Sequence, residues 1–185
     1  MFLVKQKRLL ILNYTMDRGH PALAHQVQVA KMLSNHFDIT KIITSNSFGD
    51  IEVPNVSEIV NINWDKLARI QRIMRLWKVS IRLIFTYRPT HIFYHMVDSH
   101  CALVSPLFRI AGARQILWYA HAKKSKGLVF SSFFIDSIVT STKESFPKDS
   151  RRMMRKLIPI GQGIDEKLLD RKSTRLNSSH ANISY

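Results

Sequence analysis

The sequence predicts an α/β fold: a doubly wound, mainly parallel sheet with helices on both faces. Short apolar runs, typical of strands buried on both faces, alternate along the chain with longer segments in which apolar residues recur at helical spacing. Such alternation favours parallel strands joined by crossover helices. The chain has 185 residues, 45% of them hydrophobic, which suffices for one domain with its own core or for half of a two-domain enzyme.

The predicted elements follow one another as strand and helix along the chain. Strands are predicted at residues 8–13, 39–43, 56–62, 91–95, 115–120, 137–140 and 156–160. One helix follows Pro21, which suits a first helical turn. A second covers residues 66–86 and ends before Pro89, because the residue before a proline avoids the helical conformation. A third covers residues 101–111 and is closed by Gly112.

Composition and motifs exclude several classes of protein. A single cysteine, Cys101, rules out a disulfide framework, and no Cys/His spacing resembles a structural zinc site. His91 and His95 fall on a predicted strand, about 13 Å apart, which is too far for two ligands of one ion, so no metal site is predicted. The chain has no phosphate-binding loop of the G-x-x-x-x-G-K-[ST] type, and no G-x-G-x-x-G motif follows its first strand.

The chain is strongly basic, with 28 Lys and Arg against 13 Asp and Glu, a net charge of +15. An anionic partner is therefore expected. Residues 66–88 combine basic and apolar side chains, which is typical of a helix lying on an anionic membrane surface; the alternative is a core-packed helix with a solvated basic side. The candidate membrane-surface residues are Arg69, Arg72, Arg75, Trp77, Lys78 and Arg82. With no apolar run long enough to span a bilayer, we expect a cytoplasmic protein, peripheral at the inner membrane face.

Polar residues follow six predicted strands, where the carboxyl ends of a parallel sheet would share one ligand-binding edge. His121 directly follows the fifth strand, and there an imidazole can exchange hydrogen bonds with a ligand hydroxyl; the alternative is a solvent-facing loop histidine. Ser141 and Glu144 fit a helix-capping box, so a structural role for Ser141 and Thr142 is sufficient, with anion binding by freed amides as a second possibility.

The last sixteen residues, 170–185, differ in character from the rest of the chain. They read DRKSTRLNSSHANISY, without apolar periodicity, and resemble the in-frame translation of a short-read sequencing adapter. We therefore expect a non-native, disordered tail and place the native domain at residues 1–169. Without the tail, 25 basic and 12 acidic residues remain, a net charge of +13.

Five stretches together resemble a known family. They are LLILNYTMDRGHPALAHQVQVAKML, HIFYHMVDSH, QILWYAHAKKS, FIDSIVTSTKESFP and KLIPIGQGID, and they cover nearly all of residues 1–169. In order and spacing they resemble the N-terminal, Rossmann-like domain of a GT-B glycosyltransferase of the retaining family-four type. The resemblance implies a second, donor-binding domain that is absent here. It also implies sugar transfer from a nucleotide-sugar donor to an acceptor, with retention and without a metal or other cofactor. The basic segment at residues 66–88 adds the expectation that the acceptor is a lipid-linked or envelope glycan at a membrane.

The resemblance also implies site residues. His121 would contact the transferred sugar near the reacting centre and is the expected catalytic residue. The residues expected to bind substrate or donor phosphates are Asp17, Arg18, Gly19, His20, Ser141, Thr142, Gly161, Gly163 and Asp165. Many family members carry Gly-Gly in the first loop where this chain has Arg18-Gly19, which puts close phosphate approach there in question. Because most donor contacts would lie in the absent domain, we expect this fragment alone to be inactive.

Two other functions compete with this interpretation. A basic nucleic-acid-binding domain would account for the net charge, but no RNP, helix-turn-helix or KH pattern supports it. A free-standing α/β binding module without activity would account for the fold alone.

Overall fold

The computed structural model describes residues 6–46, 52–144, 146–147 and 150–161. Seven strands form one sheet in the order β3-β2-β1-β4-β5-β6-β7, and every neighbouring pair is parallel. The strands are β1 Arg8–Thr15, β2 Ile39–Asn46, β3 Val56–Asn61, β4 His91–His95, β5 Arg114–Trp118, β6 Ser137–Thr140 and β7 Leu157–Pro159. The helices are α1 His25–Ser34, α2 Arg69–Thr86, α3 Asp98–Ile110, α4 Lys126–Ser131 and α5 Arg151–Lys156, with a 3₁₀ turn at Trp64–Lys66. The predicted fold class is confirmed.

Helices cover both faces of the sheet, and the handedness of the crossovers decides which face each one takes. From β1 the chain moves outward to β2 and β3, then returns past β1 and proceeds in the other direction from β4 to β7. Right-handed crossovers place helices on opposite faces for opposite directions of travel. One core cluster accordingly joins the sheet to α1 through Val27 and Ala30, and the other joins it to α2 and α3 through Leu83 and Val104.

The sequence of β1 contains a continuous apolar run because the strand is buried on both faces of the sheet. Leu10 and Leu12 belong to the cluster on the α2–α3 face, whereas Leu9 and Ile11 belong to the cluster on the α1 face. A strand in the middle of a parallel sheet is buried on both faces and needs apolar residues at every position. The polar residues at its carboxyl end, Asn13 and Thr15, are buried as well.

Two short helices, α4 and α5, were not predicted, because their six residues each carry too few apolar positions to show a helical period. Ser125 marks the start of α4, since its Oγ accepts a hydrogen bond from the Leu128 amide at 2.9 Å.

The predicted capping box at Ser141 is wrong: no helix follows it among the described residues up to 147. Pro147 explains the difference, because the residue before it avoids the helical conformation and leaves no room for a helix.

Candidate functional site

The sheet reverses its strand order between β1 and β4, so the loops that follow these neighbouring strands leave in opposite directions. Open α/β sheets bind ligands at such a point, outside the carboxyl ends of the strands. On the α1 face of this point lie Asn13 and Thr15 from β1, Gln26 from α1 and His95 from β4, all buried. The Gln26 side-chain oxygen fixes the end of β1 by accepting from the amides of Tyr14 (3.2 Å) and Thr15 (3.1 Å).

These four side chains carry buried polar atoms that the described part of the chain leaves without a hydrogen-bond partner. The atoms are Asn13 Oδ1, Thr15 Oγ1, Gln26 Nε2 and both ring nitrogens of His95. More than nine in ten buried polar groups in proteins are paired, and an unpaired one costs about 1–3 kcal/mol. A cluster of them at the switch point indicates that a polar group from outside the described residues completes these hydrogen bonds.

Two buried histidines at the same edge of the sheet allow an internal comparison. His100, on the α2–α3 face, has both nitrogens paired: Nε2 lies 2.9 Å from Ser45 Oγ and Nδ1 lies 3.4 Å from Ser99 Oγ. Its ring also stacks on Trp64, with centroids 4.1 Å apart. His95 is as deeply buried, at 1% exposure, and it contacts the rings of His25, Phe93 and Trp118, but neither of its ring nitrogens has a hydrogen-bond partner among the described residues. His100 is therefore a structural residue, whereas His95 has hydrogen-bonding capacity to spare.

Both histidines are neutral at physiological pH. Burial, and then the nearby His25, lower the pKa of His95 to about 3. Burial lowers the pKa of His100 to about 4, against the opposing effect of Asp98. A neutral imidazole has one N–H donor and one acceptor nitrogen, so His95 can donate to one ligand atom and accept from another.

The residue after His95 is strained. Met96 has φ of 58°, a left-handed conformation that side chains other than Gly and Asn rarely adopt. Its amide donates to the Trp118 carbonyl at 3.0 Å, which ties the turn to β5. Strained backbone of this kind clusters at functional sites, where the surrounding structure holds it in place.

The predicted catalytic residue, His121, lies in an open cavity of about 300 Å³ beyond the end of β5. Asp98, at the start of α3, lines the same cavity together with Tyr119 and the segment Lys123 to Ser125. His121 is exposed, and its ring meets that of Tyr119 edge-on at 5.3 Å. The structure therefore brings together His121, a carboxylate and two lysines at the expected edge of the sheet.

The loop after β1 is bonded mostly to itself. The Gly19 amide donates to Asp17 Oδ1 at 2.8 Å, and the amides of Ala22 and Leu23 donate to His20 Nδ1 at 3.2 and 3.0 Å. His20 therefore carries its ring proton on Nε2. Arg18 is exposed and makes a long contact, 3.5 Å, to the Glu52 carbonyl. A phosphate at Gly19 would have to displace the Asp17 carboxylate, whereas Arg18 is accessible to an anion.

Ser141 and Gly161 meet at the far end of the same edge. The Gly161 amide donates to the Ser141 carbonyl at 2.9 Å, and Gly161 has φ of 79°. Ser141 is buried and Thr142 is exposed. Gly163 and Asp165, like the predicted tail at 170–185, lie outside the described residues.

The predicted strand that carries His91 and His95 is confirmed as β4. His91 and His95 stand at the two ends of the strand, paired with Arg114 and Trp118 of β5 respectively. In the segments that the structure describes, no three His, Cys, Asp or Glu side chains are placed to share an ion.

A larger cavity, about 680 Å³, lies at the opposite, amino edge of the sheet. Its lining is basic and includes Lys7, Arg88 and Arg114. We assign the site to the carboxyl edge despite its smaller cavity, because ligands of parallel α/β sheets bind there and because five of the eight unpaired buried side-chain atoms in the described residues, those of Asn13, Thr15, Gln26 and His95, lie there.

Sequence comparison adds nothing to this assignment: no protein-family profile matches the chain, and no curated protein matches it. Solved structures match its fold. Anabaena Alr3699/HepE, solved in complex with UDP, has a TM-score of 0.59 and 12% identity over 95% of this chain and 50% of its own. UDP-GlcNAc 2-epimerase from Methanocaldococcus jannaschii has a TM-score of 0.57 and 12% identity over 84% of this chain and 45% of its own. The lipopolysaccharide outer core galactosyltransferase WaaB has a TM-score of 0.53 and 9% identity over 85% and 46%.

The chain thus spans about half the length of these structures. At such low identity the shared feature is the fold, and it is the fold of about half of a UDP-GlcNAc 2-epimerase, of a galactosyltransferase and of a protein solved in complex with UDP. The expected resemblance to half of a GT-B enzyme is confirmed at the level of the fold. The family-four type, the retaining outcome and the adapter origin of the tail stay predictions.

His95 was missed as a candidate ligand-binding residue, because sequence reasoning considered it only as a metal ligand. A signal was available. Asn13, Thr15 and His95 are polar residues at the ends of otherwise apolar strands, and each lies an even number of residues from an apolar residue of the α1-facing core. Alternation along a strand therefore places all three side chains on that face.

Proposed function

We propose that this chain is the acceptor-side half of a glycosyltransferase that uses a nucleotide-sugar donor. The acceptor is a sugar or a lipid-linked glycan, and transfer proceeds with retention and without a metal. The observation that carries this proposal is the cluster of unpaired buried polar atoms at the switch point. The fold shared with a UDP-GlcNAc 2-epimerase and with a protein solved in complex with UDP supports it.

The chemistry of the cluster suits a sugar. Each sugar hydroxyl both donates and accepts a hydrogen bond, and neutral His95 offers one donor and one acceptor. Asn13 Oδ1 adds an acceptor, Gln26 Nε2 adds donors, and the Thr15 hydroxyl can do either. Because these atoms are fully buried, we expect the surrounding structure to open when a ligand binds.

Exposed cations along the rest of the carboxyl edge are placed to stabilise the leaving diphosphate. Departure of a nucleoside diphosphate requires cations or amide dipoles near the developing charge. Arg18, Lys123 and Lys126 are exposed cations next to the carboxyl ends of β1 and β5. His121 is proposed to contact the transferred sugar, since it shares its cavity with Asp98 and Lys123.

The test is titration of the ¹⁵N-labelled 185-residue chain with UDP and with UDP-N-acetylglucosamine, followed by amide chemical shifts. We expect millimolar binding, with shifts at the carboxyl edge, including Gly19, Met96 and His121. A His95→Gln variant should bind at least tenfold more weakly. A His100→Gln variant is the matched control, because it removes an equally buried neutral histidine on the other face.

Three results would contradict the proposal. One is the absence of any shift at saturating nucleotide. Another is a shift pattern centred on Lys7, Arg88 and Arg114, which would move binding to the amino-edge cavity. The third is equal weakening in both histidine variants, which would make the His95 effect structural. We also expect no sugar transfer by this chain alone, and measurable transfer would refute its assignment as half of an enzyme.

A further inference from the structure

Helix α2 carries an exposed apolar stripe that nothing in the described structure covers. Its side chains are Ile70, Met74, Trp77, Ile81 and Phe85, spaced four, three, four and four residues apart and between 41% and 73% exposed. This spacing places them along one side of the helix. The side of α2 that packs on the sheet is a different one, formed by Leu76, Ser80 and Leu83.

A basic ridge runs beside the stripe. Arg75, Lys78 and Arg82 follow one another three and four residues apart, so they share one side of the helix, and all three are exposed. Arg82 forms an ion pair with Glu58 at 2.8 Å. Among the described residues neither Arg75 nor Lys78 has an acidic partner, and α2 itself contains no Asp or Glu.

Two of the predicted membrane-surface residues, Arg72 and Trp77, do not belong to the basic ridge. Arg72 is turned away, with Nε donating to the Leu67 carbonyl at 2.7 Å and its guanidinium over the Trp64 ring. Trp77 lies in the stripe, and its Nε1 donates to the Leu103 carbonyl of α3 at 3.0 Å. The bond holds one edge of the indole and leaves the ring nearly half exposed, as for tryptophans at membrane–water interfaces.

We propose that this face of α2 binds the surface of an anionic lipid bilayer, with the apolar stripe in the interface and the basic ridge against the headgroups. Large exposed apolar side chains bordered by cations are the pattern of interfacial helices. A second copy of the chain fits less well, since a symmetric contact would bring two basic ridges together. No helix in the described segments is long and apolar enough to cross a bilayer, so the binding is peripheral. The leaflet that this charge pattern suits is the anionic cytoplasmic one.

Two double variants test the proposal with the same change in composition and charge. The test variant combines Met74→Ser with Lys78→Gln on α2. The control combines Met32→Ser with Lys31→Gln on α1, where Met32 is 67% exposed against 64% for Met74. The measurement is co-sedimentation of the full 185-residue chain with vesicles of phosphatidylcholine containing 30% phosphatidylglycerol, and with pure phosphatidylcholine vesicles.

We expect strong binding to the anionic vesicles only. The test variant should bind about 25-fold more weakly, about fivefold from the lost charge and about fivefold from the lost apolar contact. The control should bind like the parent chain. A second variant, Arg75→Gln with Phe85→Ser, should lose binding similarly, and unchanged circular dichroism shows that each variant is folded.

Equal binding to neutral and anionic vesicles would overturn the proposal, and so would no binding at all. An equal loss in the control would show that general charge and apolarity, rather than this face, drive association. A dimer in sedimentation velocity that the test variant abolishes, without vesicle binding by the parent, would assign the stripe to self-association instead.

Discussion

Two buried neutral histidines should make this protein unusually sensitive to mild acid. His95 and His100 have their pKa lowered by burial to about 3 and about 4, against about 6.5 in an unfolded chain. Below pH 6.5 the unfolded chain takes up a proton at each position and the folded chain does not. Stability is therefore lost as the pH falls from about 6.5 towards the folded pKa values.

The size of the effect follows from the gap between pH and the unfolded pKa. At pH 5.5 each histidine is one unit below its unfolded value, which costs about 1.4 kcal/mol in the free energy of unfolding. The two together lower stability by about 2.8 kcal/mol between pH 7.5 and 5.5. The ion-paired Glu58 carboxyl, whose pKa is lowered chiefly by its hydrogen bond from Lys41, loses its contribution only at lower pH.

Urea unfolding at pH 7.5 and 5.5, followed by circular dichroism, measures this loss. His95→Gln and His100→Gln should each remove about 1.4 kcal/mol from the parent's pH-dependent loss, whatever their stability at pH 7.5, and His91, whose pKa burial also lowers, contributes to the remainder. His36→Gln removes an exposed histidine and should keep the whole loss. If either buried-histidine variant keeps the parent's pH dependence, that histidine is not held neutral by burial and the reasoning is refuted.

Two further predictions concern packing around α3. Gly127→Ala would place a methyl group 2.9 Å from Asp98 Oδ2 and 3.0 Å from the Asp98 carbonyl oxygen. We expect this variant to lose about 1–3 kcal/mol of unfolding free energy, measured as a lower Tm. Gly19→Ala is the control, because its methyl would meet only Asp17 Oδ1 at 3.4 Å, and its Tm should be nearly unchanged. Cys101 is fully buried, and burial raises the pKa of its thiol; it should resist Ellman's reagent at pH 8 until urea is added, and rapid labelling of the native chain would contradict its place in the core.

Most of the fold could be predicted because its strands are buried on both faces and therefore read as apolar runs. Strand β4 was predicted with its observed bounds, and α2 was predicted to end where the structure ends it, before Arg88 and Pro89. The two missed helices, α4 and α5, are short and depend on local capping and tertiary contacts rather than on a repeating apolar pattern.

The candidate site was harder to predict, because burial and hydrogen-bond pairing depend on the whole fold. The sequence indicated that His121 follows a strand, and strand polarity then placed it at the ligand edge. It could not separate His95 from His100, since both are histidines near the end of the fourth strand. What separates them is that Ser45 and Ser99 pair both ring nitrogens of His100, whereas no described residue pairs those of His95.

The position of α2 connects the two proposals. The helix runs back from the end of β3 to the start of β4, so its N-terminal end lies at the carboxyl edge. Asp65, just before it, accepts hydrogen bonds from the Tyr14 hydroxyl at 2.8 Å and from Asn46 Nδ2, and these residues end β1 and β2. The stripe therefore reaches from the carboxyl edge, at Ile70, to the amino-edge cavity that Phe85 lines. Since α2 and the unpaired polar cluster lie on opposite faces of the sheet, we expect an acceptor held at the bilayer to approach the carboxyl edge from the Ile70 end of the helix.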